Sequence, residues 1–408
     1  MFANTAVFRI CRGSSMVTKF LWKSTKILQT HRTVCISARD KFYSSNIDQA
    51  ANKLAVSQKT DWNKTISEAE KIVGYSTLKL RQLRSDEIAL QLTKLVGSNH
   101  PLLKTAKNII YNGHNTQVFS VILLLISKAA GHLNVKPIEE DKATGVLQSQ
   151  KTLVDITEMI RTSNLIHRGI VNLNTDIGSL ESSELDNITS SNKIALLLGD
   201  YLLSYSSSKL VALKNQDLVL LISSAFRDMC QVEFVARRDD QNFPIPVIPP
   251  KDRTGYALKE WTLLNTYAGS LLAKSCQSTL KIAGHSKEIE EKGYEFGKHL
   301  ALAWQASLDL GLFINKDKEI VHNLCAAPIM FHVEHDPSIL IELDKGLKSV
   351  ENVDYLKVLE IVTAGPGIGL TKELVKEHSQ KAMEILNVFK ESDARKALSN
   401  IIVAIGDV

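Results

Sequence analysis

Apolar residues recur at three- and four-residue spacing along most of the chain, as in Ile156, Met159, Ile160 and Ile166, or Ile194, Leu197, Leu198, Tyr201 and Leu202. That spacing is the period of an α-helix with one buried face. It predicts helices near 62–73, 85–96, 100–112, 116–132, 150–168, 190–208, 215–237, 257–284, 286–313, 318–327, 335–346, 352–362 and 369–390, with a short terminal one from Asp393. Alternating Val/Ile/Thr segments bounded by turns are few, so the predicted fold class is all-α. Four of the nine prolines are Pro244, Pro246, Pro249 and Pro250, which places an irregular loop at about 237–254. No repeat of 30 to 45 residues is evident and no linker-like composition divides the chain. The pattern therefore favours one large helical domain over residues 46–408 rather than a solenoid.

Composition changes this picture only at the N-terminus. The 408 residues are 44% hydrophobic and 23% charged, an ordinary globular balance. The longest nearly apolar run, Phe119 to Ile126, is far short of the roughly 20 residues that cross a bilayer core, so no transmembrane segment is expected. The net charge of +5 is unevenly placed: residues 1–39 hold seven bases (Arg9, Arg12, Lys19, Lys23, Lys26, Arg32, Arg39) and no acid. The rest has 42 bases against 44 acids, which leaves no basic footprint for nucleic acid. A basic, hydroxyl-rich, acid-poor start without a continuous apolar stretch has the composition of an organelle import peptide. Residues 1–45 are accordingly expected to be a mitochondrial targeting peptide, cleaved between Arg39 and Ser45. Cys230, Cys276 and Cys325 then remain, odd in number and far apart, so no disulfide framework is implied.

Local patterns offer little chemistry. His332-Val333-Glu334-His335 spaces two imidazoles three residues apart, but beside Pro337 it reads as a solvated turn at a helix start. Gly365-Pro366-Gly367-Ile368-Gly369 lacks the preceding strand and the Gly-Lys-Ser/Thr ending of a phosphate loop and reads as a helix-to-helix turn. Asp239-Asp240 and Glu139-Glu140-Asp141 read as solvated loop charges. Val121, Leu124 and Leu125, with Lys128 beyond them, read as a core helix.

The order of motifs along the chain says more. Leu165-Ile166-His167, then Leu198-Gly199-Asp200-Tyr201-Leu202-Leu203-Ser204, Ser270-Leu271-Leu272-Ala273-Lys274-Ser275-Cys276, Gly297 with Ala303-Trp304-Gln305, and Ala327-Pro328 together resemble the trans-isoprenyl diphosphate synthase family over about residues 60–408. The resemblance implies a single helical domain of the isoprenoid synthase type with a central cavity. It also implies condensation of an allylic diphosphate with isopentenyl diphosphate. In active members Leu-Ile-His runs into Asp-Asp-x-x-Asp, and a second such motif follows Phe-Gln-x-x, the two facing one another across Mg²⁺ ions.

This sequence departs from that pattern at nearly every charged position. The first motif reads Arg168-Gly169-Ile170-Val171-Asn172, and the second reads Leu308-Asp309-Leu310-Gly311-Leu312, keeping only Asp309. The segment matching the family's basic Gly-Gly-Lys-Arg-x-Arg-Pro is Asn112 to Val118, without Lys or Arg, and the family's Lys-Thr pair falls on Tyr267-Ala268. Mg²⁺ takes oxygen donors in near-octahedral geometry, so the loss of the carboxylates removes the Lewis acid that neutralises a departing diphosphate. No catalytic residue and no metal ligand are expected on this chain, and a substitution at the isolated Asp309 should leave assembly with the partner and the activity of the complex nearly unchanged. The resemblance is strongest to the non-catalytic subunit of a heteromeric trans-polyprenyl diphosphate synthase of the decaprenyl or solanesyl type, which supplies the ubiquinone side chain in mitochondria. It implies a catalytic partner of the same fold carrying the Mg²⁺, a heterotetramer, a location in the matrix or against the inner membrane, and an isoprenoid as possible ligand. Asn192 to Ser207 and Gln216 to Val235 match the two interface helices, which makes Leu196, Leu197, Leu203, Leu218, Leu221 and Phe226 the candidate contacts, together with Leu220 and Ile222. Two other readings stay open: an active prenyltransferase whose Asp309, Asp176 and Asp200 gather one metal, and a carrier that holds a polyprenyl chain without reacting it.

Overall fold

The computed structural model describes residues 61–74, 118–133, 140–141, 145–168, 170, 182–239, 243–247, 255–314 and 323–407. The expected leader and the helices expected at 85–96 and 100–112 lie outside them. Helices dominate: α1 Trp62–Val73, α2 Val118–Ala130, α3 Gln148–Arg168, α4 Ser182–Ala212, α5 Gln216–Val235, α6 Tyr256–Ala268, α7 Ser270–Ile282, α8 Lys287–Ile314, α9 Ala327–His335, α10 Leu340–Leu343, α11 Tyr355–Ala364, α12 Gly367–Leu386 and α13 Asp393–Gly406. Two antiparallel ladders of two residues per strand, Glu140–Asp141 with Val146–Leu147 and Arg237–Arg238 with Pro244–Ile245, are small departures from the all-α expectation. Among the described residues no helix is long and apolar enough to cross a membrane.

Helix ends follow local chemistry. Asp61, Asn215, Asp354 and Ser392 each accept a hydrogen bond from a backbone N–H in the first turn of the helix that follows, the interaction that makes short polar residues good starters. Gly74 ends α1 at φ 67, a left-handed geometry open to glycine at no steric cost.

Three apolar clusters share two central helices. Leu272, Cys276 and Leu280 of α7 and Phe296, Leu300 and Ala303 of α8 pack with α1, α2 and α13. Leu302 and Ala306, on the other side of α8, pack with Trp261 of α6, Met330 and Val333 of α9, and Val358 and Val362 of α11. Leu271 of α7 joins Leu153, Ile156 and Ile160 of α3, Leu198 and Leu202 of α4, and Leu218 and Ile222 of α5. Close approach of α7 to α8 needs Gly297, where a Cβ would lie 2.7 Å from Ala273 Cα and 3.0 Å from Leu272 O.

Three expected helices are corrected. The expected helix at 257–284 is α6 and α7, broken at Gly269, where a Cβ would come within 2.7 Å of the Ala301 methyl. Residues 323–326 are turn rather than the end of a helix at 318–327. The stretch 335–346 is a run of short 3-10 and α turns. The terminal helix, expected to be short, is the 14-residue α13.

Candidate functional site

The C-terminal end of α3 carries the first degenerate motif. Helix α4 crosses it closely: Ser163 Oγ donates to Gly199 O at 2.8 Å, and a Cβ on Gly199 would sit 2.1 Å from His167 Nε2. Small residues at 163 and 199 are what let the two backbones meet. His167 then reaches Leu196 O at 3.3 Å and Asp200 Oδ1 at 3.4 Å. Arg168, where the family places its first aspartate, donates to Glu233 Oε1 at 2.8 Å, and Arg238 holds the other oxygen of that carboxylate at 3.0 Å. Glu233 lies in the last turn of α5, and α3 also ends here. Both helix C-termini carry partial negative charge. Arg238 also donates to Val232 O at 3.1 Å, so two guanidiniums share one carboxylate and one of them reaches the end of α5. Gly169, Asn172 and Asp176 lie outside the described residues.

The segment read as the second motif, residues 308–312, centres on one carboxylate. Asp309 is 2% exposed. Its Oδ2 accepts from Trp261 Nε1 at 2.8 Å and from Ala327 N at 2.9 Å; its Oδ1 accepts from Gln305 Nε2 at 2.8 Å and Asn323 Nδ2 at 3.4 Å. One carboxylate thus ties α6, α8 and the first turn of α9. Burial pushes its pKa up to about 6 against the lowering pull of Trp261, Ala327 and Gln305, so it is ionised at neutral pH. Asp309 has a structural part in the fold that the sequence reading did not give it: its acceptor capacity is spent on N–H donors that have no other partner at hand. Leu308 beside it is buried and Leu312 half-buried.

Other motif positions serve packing. In the Ser-Leu-Leu-Ala-Lys-Ser-Cys stretch, Lys274 Nζ donates to Asp228 Oδ2 at 2.6 Å and Ser224 Oγ at 2.9 Å, while Ser270 Oγ donates to Asp228 at 2.7 Å. Burial alone would raise the Asp228 pKa; Lys274 and Ser270 outweigh it and hold the carboxyl below its usual value. Glu158, on α3, accepts from Ser120 N and Oγ at 2.9 Å each and so caps the start of α2.

Several sequence readings change. His332-Val333-Glu334-His335 is the last turn of α9 and not a solvated turn: His332 and Val333 are buried, and Glu334 accepts from Gly255 N and Ala257 N at the start of α6. Pro328 starts that helix, where a missing N–H costs nothing. Asp239 is also buried, accepting from Phe243 N at 2.7 Å and Val350 N at 2.9 Å. Val350 lies 111 residues along the sequence, a contact that no local pattern could show. Gly365 to Gly369 is the junction of α11 and α12, as expected.

The candidate contact residues divide by face. Leu196 and Leu197 on α4 are 48% and 59% exposed, and Leu220 on α5 is 63% exposed. Leu203, Leu221 and Phe226 are half-buried. Leu218 and Ile222 are sealed in the core against α3, so they support the face without forming it, which corrects their assignment as contacts. Val211 at 63% and Phe234 at 86% exposure extend the outward stripe and escaped the sequence reading.

Among the described residues no group of three or more His, Cys, Asp or Glu side chains is placed to hold a metal ion. Arg168 is engaged by Glu233 and Asp309 is enclosed by N–H donors, so neither side chain as placed fits a magnesium ion.

No family model matches the chain. It is 38% identical over 358 residues to the all trans-polyprenyl-diphosphate synthase PDSS2 of Homo sapiens, covering 84% of this chain and 87% of that one. It is 23% identical over 412 residues to the probable mitochondrial hexaprenyl pyrophosphate synthase of Yarrowia lipolytica, covering 84% and 88%. Its fold is similar to that of the polyprenyl synthase from Caulobacter crescentus complexed with calcium and isoprenyl diphosphate, with a TM-score of 0.61, 14% identity and coverage of 84% and 97%.

Proposed function

The chain belongs to the all-trans-polyprenyl diphosphate synthase family, and we propose that within it this chain is a non-catalytic subunit of a heteromeric synthase making a long polyprenyl diphosphate for the ubiquinone side chain. The observation that carries this reading is the fate of the two aspartate-rich positions. Arg168 is engaged by Glu233, and the remaining Asp309 is consumed as a structural acceptor. Ionisation of an allylic diphosphate needs positive charge that follows the leaving group. Guanidiniums already matched to a carboxylate and to a helix end have little to give, and the aspartates that would hold Mg²⁺ are absent from the sequence. A catalytic partner with intact Asp-Asp-x-x-Asp motifs would carry the Mg²⁺ and the reaction.

The outward stripe of α4 and α5 is the surface offered to that partner. Leu196, Leu197, Val211, Leu220 and Phe234 expose apolar area on two neighbouring helices, as an obligate interface does before its partner covers it. The basic, acid-free leader and a relative named mitochondrial support a location in the mitochondrion.

Expression of the chain alone and together with a motif-bearing family member tests the proposal. Condensation of an allylic diphosphate with isopentenyl diphosphate is expected only from the co-expressed pair. Mg²⁺-dependent turnover by this chain alone would overturn it.

A further inference from the structure

The seam between α8 and α12 holds a histidine pair that the subunit role does not use. His299 Nδ1 and His378 Nδ1 lie 2.9 Å apart, with ring centroids 5.1 Å apart and planes tilted by 31°. His378 is 7% exposed and His299 half-buried, beside Phe296, Leu300 and Ala382 of the core. Two Nδ1 atoms at that distance can be joined only if one carries a proton and the other a lone pair. The pair is therefore fixed in one Nδ1–H and one Nε2–H tautomer.

Proton arithmetic gives this contact two steps. A first added proton can settle on Nε2 of the donor ring and leaves the N–H···N bond intact, now charge-assisted. A second must take the lone pair of the acceptor Nδ1, which breaks the bond and sets two cations face to face. We propose that His299 and His378 form a proton-operated clasp on the α8–α12 seam, closed while one Nδ1 accepts from the other and open once both rings are charged.

The surroundings favour the closed state at neutral pH. Lys298 and Lys381 both oppose protonation of the pair, and Glu295 and Glu377 oppose them in turn. Each of those carboxylates is itself engaged by a lysine, Glu295 by Lys292 at 2.8 Å and Glu377 by Lys381 at 2.6 Å. Burial lowers the His299 pKa and brings that of His378 to about 4. A folded-state pKa below the unfolded one adds stability that is fully present above the unfolded value and is lost as pH falls toward the folded value. The vulnerable window runs from about pH 6.5 downward. This inference does not rest on the subunit assignment.

Urea unfolding of the full chain from pH 7.5 to 4.5 tests it, comparing the wild type with His378→Asn, whose amide can meet His299 Nδ1 without titrating. Between pH 6.5 and 4.5 the wild-type unfolding constant is expected to rise over tenfold more than that of the variant. His299→Asn, which leaves the buried ring in place, should show the same direction. Parallel pH profiles for wild type and both variants would overturn the clasp.

Discussion

Asp309 is a buried carboxylate whose contacts are structural. In the sequence it is the one carboxylate left of a metal motif; in the fold it is an acceptor for Trp261, Gln305, Asn323 and Ala327. Asp309→Ala leaves several buried donors without a partner, at about 1–3 kcal/mol each. We expect a loss of about 3 kcal/mol or more in urea unfolding, with Asp309→Asn milder. Its raised pKa, about 6, has a definite sign: the stability it adds is full below the unfolded carboxyl value and is lost as pH rises through about 6. The wild type should therefore gain on Asp309→Asn as pH falls from 7 to 4.5, and a constant difference would contradict the assignment. The Arg at position 168 was legible in the sequence. Its pairing with Glu233, 65 residues away, was not, because ion pairs between distant helices leave no local pattern.

At the scale of elements, periodicity located most helices but not their interruptions. The apolar pattern runs on through Gly269, where α6 ends and where Ala301 on another helix leaves no room for a Cβ. The helix expected at 318–327 misplaced the start of α9, which begins at Ala327 with a proline in its first turn, a position that suits proline. Two helix contacts depend on an absent side chain. Gly199→Ala drives a methyl into the His167 ring, and Gly297→Ala drives one into the Ala273 backbone. Overpacking of this kind costs about 1–3 kcal/mol, and calorimetry should show Gly297→Ala as the more damaging because backbone cannot rotate aside. The α4–α5 surface makes a sharper prediction. Leu197→Glu, on the outward stripe, should fold with unchanged circular dichroism and lose co-purification with the catalytic partner. Leu218→Glu, 1% exposed, should fail to fold at all. If Leu197→Glu keeps its partner, the interface lies elsewhere.

At the scale of the whole molecule, charge is unevenly placed. Seven bases and no acids lie in residues 1–39, while the remainder is close to neutral. Residues 1–45 fused to a soluble reporter should carry it into mitochondria; cytosolic fluorescence would refute the leader assignment. Motif order made the family legible, since glycines and small residues at helix crossings survive even where the carboxylates do not. The outward stripe was only half legible, because Leu218 and Leu220 look alike in sequence and differ only in the face the fold gives them. The most direct test of the central claim uses the assembled complex. Replace the first two aspartates of the catalytic partner's first motif with alanine, leave this chain intact, and measure Mg²⁺-dependent condensation after confirming assembly by size exclusion. If this chain contributes no active site, turnover falls to background in a fully assembled complex. Residual turnover that disappears on substituting Arg168 or Glu233 of this chain would show that it carries chemistry of its own.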